Sequence, residues 1–382
     1  MTDLPNTLLQ NTAPSTEQHS LPNETQDAQA YEKQLQHKIQ GFRDKLSDFY
    51  DKPIDVFDSP KSGYRMRAEF RIWHEEDDTH YVMHHPQTKK TYQVHHFAPA
   101  HPAIQEIMPV LRNHIEHSEV LRRKLFSAEF LASSRGEIII TLIYHKPVDE
   151  LWEEEAETLS KALNVYVIGR SRKKKHVIGQ DFVTEMLTIN NQNYLYRQHE
   201  GAFSQPNWHV NTHMVTWAVN QAKPMQGDLL ELYCGNGNFT LPLSKEFKRV
   251  FTTEINKTSV RALQWGLEEN QIENVDCARL SAEECTQALD GVRPFRRLAH
   301  IDLNEFNLTT VFVDPPRAGL DSASLAFISR FENIIYISCN PTTLAENLAH
   351  LADSHDVVSA AAFDQFPFTP HLEAGVVLMK RL

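Results

Sequence analysis

Ile334-Ile335-Tyr336-Ile337-Ser338-Cys339-Asn340-Pro341 carries an apolar run straight into a cysteine and a helix start. Its apolar run has the pattern of a buried strand, and the chain then turns sharply. Asn340 is a good helix N-cap, and Pro341 suits the first helical position, where its missing N–H costs nothing. Cys339 is therefore expected at the carboxyl end of a strand and at the positive end of a helix dipole. Open α/β sheets bind ligands in that crevice, and the position is expected to lower the thiol pKa. A small, inert core cysteine is the competing reading of the same eight residues.

The pattern repeats outward from this element. Apolar runs at 229–233, 250–253, 275–278, 310–313 and 334–338 alternate with helical spacing through residues 201–382. That is the βαβ rhythm of a parallel sheet covered on both faces, a Rossmann-like α/β domain. Two further runs, 357–363 and 375–379, are expected to close the sheet edge as an antiparallel pair.

Three loops of this half carry chemistry. The first strand runs into Glu231-Leu232-Tyr233-Cys234-Gly235-Asn236-Gly237-Asn238-Phe239. Its glycines allow a tight turn, but Thr240 stands where the dinucleotide fingerprint GxGxxG has its third glycine. Glu254 ends the second strand, near the spacing of about 20 residues at which an acid accepts hydrogen bonds from ribose hydroxyls. A ribose acid without the pyrophosphate element points to a nucleoside cofactor lacking a diphosphate, and S-adenosylmethionine fits better than NAD. Asp314 ends the fourth strand in Val313-Asp314-Pro315-Pro316-Arg317, where two prolines hold the backbone rigid. This resembles the (D/N)PP signature of nucleobase methyltransferases, with Arg317 replacing the aromatic residue of the amino-methylating versions.

Residues 31–200 read as a separate α+β domain, and residues 1–30, rich in Asn, Gln, Thr, Ser and Pro, as a disordered tail. Tyr31, Leu35, Ile39, Phe42, Leu46 and Phe49 recur at helical spacing. In Tyr64-Arg65-Met66-Arg67-Ala68-Glu69-Phe70-Arg71-Ile72 apolar residues alternate with charged ones, so Arg65, Arg67 and Arg71 are expected on the wet face of a half-buried strand. A hairpin follows through Ser134-Arg135-Gly136. The run Arg170-Ser171-Arg172-Lys173-Lys174-Lys175 is a further candidate for phosphate contact, or simply a solvated turn.

Bulk properties exclude several classes. The chain of 382 residues is long enough for two domains, has no apolar run of membrane-spanning length, and begins without a secretory pattern. Its four cysteines include no CxxC pair, so neither a disulfide framework nor a cysteine-rich metal site is expected. A cytoplasmic protein is expected. The net charge of −12 argues against a protein that simply coats nucleic acid. The charge is uneven, however: residues 61–200 balance 19 Lys/Arg against 19 Asp/Glu and hold 12 of the 20 histidines. Neighbouring histidines at 84–85 and 95–96 would point to opposite faces of a strand, which disfavours a metal site.

Taken together, DPPR ending one strand, SCNP ending another about 25 residues later, and His371-Leu372-Glu373-Ala374-Gly375 near the end resemble the RNA uracil-5-methyltransferase family. Phe203-Ser204-Gln205-Pro206-Asn207 is similar to that family's FxQxN element. Residues 64–74, 229–239, 311–317 and 363–368 look like segments of its bacterial tRNA-modifying branch, and the likeness spans residues 31–382. The resemblance implies a class I methyltransferase domain over 201–382 preceded by an RNA-recognition domain. It implies Cys339 as nucleophile and Glu373 as general base. Gln205, Tyr233, Asn238, Glu254 and Asp314 would contact S-adenosylmethionine, and Phe126 would stack in the RNA cleft beside Arg65, Arg67 and Arg71. The implied substrate is uridine 54 in the TΨC loop of tRNA, with a similar loop of transfer-messenger RNA. The enzyme would act as a monomer, without metal, iron–sulfur cluster or membrane. Ribosomal-RNA relatives carry a four-cysteine cluster site, whereas residues 1–200 here contain no cysteine. Ribosomal-RNA methylation and a methylation-independent tRNA-folding role are the alternatives.

The chemistry explains the residue types. Carbon 5 of uracil is too weak a nucleophile to take a methyl group unaided. Thiolate addition at carbon 6 turns the ring into an enolate that can, and a carboxylate must afterwards remove the carbon 5 proton.

Overall fold

The computed structural model describes residues 24–85 and 88–381. Residues 1–23 of the expected tail lie outside the described residues, and residues 24–30 already belong to a helix, Glu24–Leu46.

The strand–Cys–helix element forms as its residues dictate. Strand Asn333–Ser338 is buried throughout, and helix Pro341–Leu351 starts immediately after Asn340, whose side chain accepts the Thr342 N–H at 3.2 Å. Around it lies an eight-stranded sheet. Its order is Asp55–Phe57, His355–Phe363, Glu373–Lys380, Asn333–Ser338, Leu308–Val313, Asp228–Leu232, Val250–Thr253 and Val275–Ala278. The five central and far strands are parallel, as apolar runs alternating with helices require. The last strand of the chain inserts antiparallel between His355–Phe363 and Asn333–Ser338. The closing pair is thus antiparallel as expected, but it is not the sheet edge. Asp55–Phe57 adds in parallel outside it, with Val56 opposite Ala362.

Gly375 in this inserted strand has a packing reason. A Cβ there would come within 2.7 Å of the Trp217 ring, which packs from helix Trp208–Ala222. The absent side chain lets the helix lie close on the strand that carries Glu373.

A second sheet has seven strands ordered Thr91–Gln93, Asp78–His84, Arg67–Glu75, Leu125–Ala132, Ile138–Tyr144, Tyr166–Ser171 and Lys174–Ile178. Helices Pro102–His117 and Glu150–Leu163 bury Ile104, Met108, Leu111, Trp152 and Leu159 against it, so this is an independent α+β core.

A single boundary at residue 200 does not describe the chain. Phe42 and Leu46 of helix Glu24–Leu46 bury into the core under the eight-stranded sheet, with Leu344, Leu348 and Leu372. The hairpin Phe182–Ile189 and Gln192–His199 likewise packs Leu187, Ile189, Tyr194 and Tyr196 with helix Trp208–Ala222. The α+β domain is therefore inserted into the catalytic fold. An amphipathic helix shows that it needs a core, not which core it will join.

Candidate active site

Register brings the two expected catalytic residues together. Ile337 lies opposite Gly375 and Ser338 opposite Ala374. The ladder ends there: Cys339 directly follows Ser338 and Glu373 directly precedes Ala374, so the thiol and the carboxyl stand at adjacent ends of neighbouring strands. Asp314 follows directly on Leu308–Val313, the strand on the other flank of Asn333–Ser338. Three neighbouring strand ends thus present the thiol and both carboxyls.

All three border a cavity of about 490 Å³, together with Gln205, Tyr233, Asn238 and Glu254. The glycine loop forms its wall. Tyr233, Gly235 and Gly237 have φ of 62°, 56° and 89°, so the loop alternates through left-handed conformations. Gly237 also lies where a Cβ would meet Leu263 at 2.5 Å. Glu254 braces the loop: its Oε2 accepts the Gly235 N–H at 3.0 Å and its Oε1 the Asn256 N–H at 2.7 Å. Asn238 exchanges two hydrogen bonds of 2.8 Å with Asn211 of helix Trp208–Ala222, which fixes the loop to that helix. Neither Glu254's bracing role nor Asn211 was visible in the sequence, since both depend on which elements meet.

The electrostatics reverse one expectation. The Cys339 thiol is pushed up to about 11, by burial first and then by the charges of Glu373 and Asp314, while Arg317 pulls the other way. The helix dipole does not prevail, because two carboxyls and a half-buried setting outweigh a contribution of about 0.3–1 kcal/mol. Glu373, 4% exposed, is raised to about 8 by burial and then by Asp314. Asp314, whose carboxyl is enclosed although the residue is part-exposed, rises to about 7 by burial. Beneath the loop, Glu231 is buried and raised to about 8 by desolvation, which the Thr252 hydroxyl opposes by donating to its Oε2 at 3.5 Å. At neutral pH the site thus stores protons on buried carboxyls, a pattern frequent at catalytic centres.

The cavity fits a nucleoside-type ligand. The Oε1 atoms of Gln205 and Gln198 are buried and have no hydrogen-bond partner among the described residues, and both residues border the cavity. A buried orphan acceptor costs free energy unless a ligand supplies the donor. A Cβ at Gly235 would meet nothing within 4 Å, so the loop leaves open space there. Phe203, 78% exposed at the cavity rim, and Gln198 were not singled out from sequence; Phe203 lies within the quoted FxQxN element, Gln198 within no motif. Among the described residues no group of three or more His, Cys, Asp or Glu is placed to hold a metal ion.

The expected RNA face is divided. Arg71 is exposed and lies 3.8 Å from the Phe126 ring centroid, and His145 meets the same ring edge-on at 4.2 Å. Arg65 is half-buried and donates to the Arg67 carbonyl. Arg67 is a correction: it is not on a wet face. Its guanidinium donates to Ser204 Oγ at 2.9 Å, Glu200 O at 3.0 Å, His199 O at 3.0 Å and Ala202 O at 2.7 Å. The alternation was read correctly, but residues 199–204 cover that face of the strand. Arg67 therefore clamps the segment that leads to Gln205. Arg65, Arg67, Arg71 and Phe126 do not border the cavity that holds Cys339. In the basic run, Arg170 pairs with Glu200 at 2.9 Å and Lys175 with Asp181 at 2.7 Å, leaving Arg172, Lys173 and Lys174 exposed.

Comparison with known proteins points to one family. The family model described as tRNA (Uracil-5-)-methyltransferase matches residues 30–381. A tRNA/tmRNA (uracil-C(5))-methyltransferase of Cellvibrio japonicus is 49% identical over 92% of this chain and 96% of its own length. The protein of the same description from Saccharophagus degradans is 50% identical over 92% and 97%. Among solved structures, the Pyrococcus abyssi tRNA (uracil-54, C5)-methyltransferase in complex with S-adenosyl-L-homocysteine superposes with a TM-score of 0.70 at 20% identity, covering 91% of this chain and 83% of that one. That likeness establishes the fold, and the family match the kinship. This chain belongs to the tRNA (uracil-5-)-methyltransferase family.

Proposed function

We propose that this protein methylates carbon 5 of uridine 54 in the TΨC loop of tRNA, and a similar loop of transfer-messenger RNA, using S-adenosylmethionine. The observation that carries the reading is the set of strand ends: Cys339, Glu373 and Asp314 at the ends of three neighbouring strands, all on the cavity bordered by Gln205, Tyr233, Asn238 and Glu254. Gln205 and Gln198 would supply acceptors for the cofactor, Glu254 the remaining lone pairs of its carboxylate for ribose, and Tyr233 the wall. When bound, S-adenosylmethionine supplies an electrophilic methyl group on a sulfonium.

The protein's own part divides into two proton events. The extruded uridine, taken out of its loop, receives the Cys339 sulfur at carbon 6 as the half-buried thiol passes its proton to solvent water. Arg317, the cation that favours the thiolate, steadies the developing charge. The electron pair of the C5–C6 double bond moves toward the ring carbonyl, making carbon 5 nucleophilic. Once carbon 5 carries the methyl group, Glu373 as carboxylate removes its proton, the double bond re-forms and the thiolate leaves. A base raised to about 8 is a stronger proton acceptor than an ordinary glutamate, at the expense of the fraction ionised at neutral pH. A tRNA substrate supports a cytoplasmic place of work, and action as a monomer is part of the proposal. Among the described residues no helix is long and apolar enough to cross a membrane.

The test is incubation with labelled S-adenosylmethionine and total tRNA, followed by nucleoside analysis. Label is expected in 5-methyluridine at position 54, and none with Cys339→Ala, which should still bind tRNA. Label recovered in methylated guanine or adenine would overturn the proposal.

A further inference from the structure

Cys339 and Arg317 border a second cavity, of about 570 Å³, which shares only these two residues with the first. Its walls are helix Glu24–Leu46, the first turn of Pro341–Leu351 and the 368–372 loop leading to Glu373. No Asp or Glu lines it, whereas Lys45, Arg317, His37 and His371 do. Lys38, also at the wall, is already neutralised by Asp364 at 2.5 Å. Among the described residues, the side chains of Lys45 and Arg317 make no hydrogen bond or ion pair, so their charges face solvent unspent. Phe368 is 47% exposed. Its ring is propped on the edge of Tyr31 with centroids 5.6 Å apart, and its backbone N–H donates to Gln34 Oε1 at 3.0 Å. An aromatic ring held in water beside unpaired cations, next to a nucleophile, has the makeup of a single-strand nucleic-acid site, where bases stack and phosphates find positive charge.

We propose that this groove holds the nucleotides adjoining the target uridine, with Phe368 stacking a neighbouring base and Lys45 and Arg317 taking phosphates. The inference rests on the reading of an RNA substrate given above. An extruded base draws its flanking backbone toward the pocket mouth, and a cavity that meets the first at the nucleophile is where that backbone can lie. The N-terminal helix, outside the α+β domain, thereby becomes part of the RNA-binding surface.

Two measurements test this on the full chain. Lys45→Glu should raise the KM for a T-arm RNA about tenfold, leave kcat and S-adenosylmethionine binding unchanged, and lower the slope of log affinity against log salt by about 0.7 for a lost single-strand phosphate contact. Phe368→Ala should weaken RNA binding about tenfold with a salt slope equal to the native one, since stacking carries no counterion. RNA carrying 5-iodouridine one nucleotide to either side of the target should photo-crosslink to peptides containing Phe368 or His371. Unchanged RNA affinity and salt slope in Lys45→Glu, or crosslinks confined to the Arg71–Phe126 face, would overturn the assignment. Filter-binding affinities read the groove without turnover, so methylation of a different base by the native enzyme would refute the proposed reaction and leave the groove's own test intact.

Discussion

Glu373→Gln separates the two halves of the reaction. The substitution keeps side-chain volume and hydrogen-bonding capacity at a position only 4% exposed. Because burial and Asp314 raise the native carboxyl to about 8, that group is mostly protonated at pH 7 and the neutral amide is a close replacement for it. Folding should therefore change little. Addition of Cys339 should also survive, because at pH 7 the amide replaces a carboxyl that is already mostly neutral, so the setting of the thiol changes little. Proton removal from carbon 5 has no substitute. A general base contributes typically about 10²–10⁴ in rate, which is about 2.7–5.5 kcal/mol at 1.36 kcal/mol per tenfold. The variant is expected to form a methylated, covalently bound RNA adduct at the native rate and to release it about 10²–10⁴ times more slowly. Denaturing electrophoresis of stoichiometric enzyme and T-arm RNA, sampled over seconds to hours, reads both phases. Normal RNA binding with no adduct would refute the assignment of Glu373, and so would turnover within tenfold of the native enzyme.

Two further outcomes follow from buried groups. Glu231 has a folded pKa raised to about 8, so its contribution to stability is full below its unfolded pKa and is lost as pH rises through about 8. Glu231→Gln should accordingly gain in stability over the native protein between pH 5 and pH 9, by an amount of order a few kcal/mol, seen as a widening Tm difference; parallel Tm curves would show that this carboxyl is not held neutral. Arg67→Lys keeps the charge but loses the fork that reaches Ser204, Glu200, His199 and Ala202. It should raise the KM for S-adenosylmethionine about tenfold with kcat nearly unchanged, and lower stability by about 2–4 kcal/mol. A fall in RNA affinity with unaltered cofactor KM would instead return Arg67 to the RNA face.

What could be read from sequence was local. Asn340 and Pro341 define a helix start whatever surrounds them, and the apolar runs marked the parallel strands to within a residue or two. The alternation around Arg67 gave the correct face of its strand. That the 199–204 segment covers this face is a fact about a partner distant in sequence, and no local pattern carries it. The same holds for helix Glu24–Leu46: Tyr31, Leu35, Ile39, Phe42 and Leu46 announce a buried stripe, while its destination depends on the last strands of the chain. The thiol pKa was misjudged for this reason too. The helix dipole is legible in sequence, whereas the two opposing carboxyls become neighbours of Cys339 only through strand order. Motif residues such as Gln205 and Glu373 were found through family likeness rather than spacing.

The parallel pairing of Asp55–Phe57 with His355–Phe363, and the bond from Lys38 to Asp364, join the first described part of the chain to the last. During synthesis the early helix must therefore wait, apolar face uncovered, until roughly three hundred later residues have been made. The inserted α+β domain can complete its own core in the interval. Assembly of the catalytic sheet is then a late, all-or-none closure in which Glu373 is delivered on one of the last two strands, Cys339 having been made earlier. A nascent or truncated chain would hold a nucleophile without its base: able to attach to RNA, unable to let go. Packing the strand that carries Glu373 near helix Glu24–Leu46 makes placement of the base depend on residues far apart in the chain.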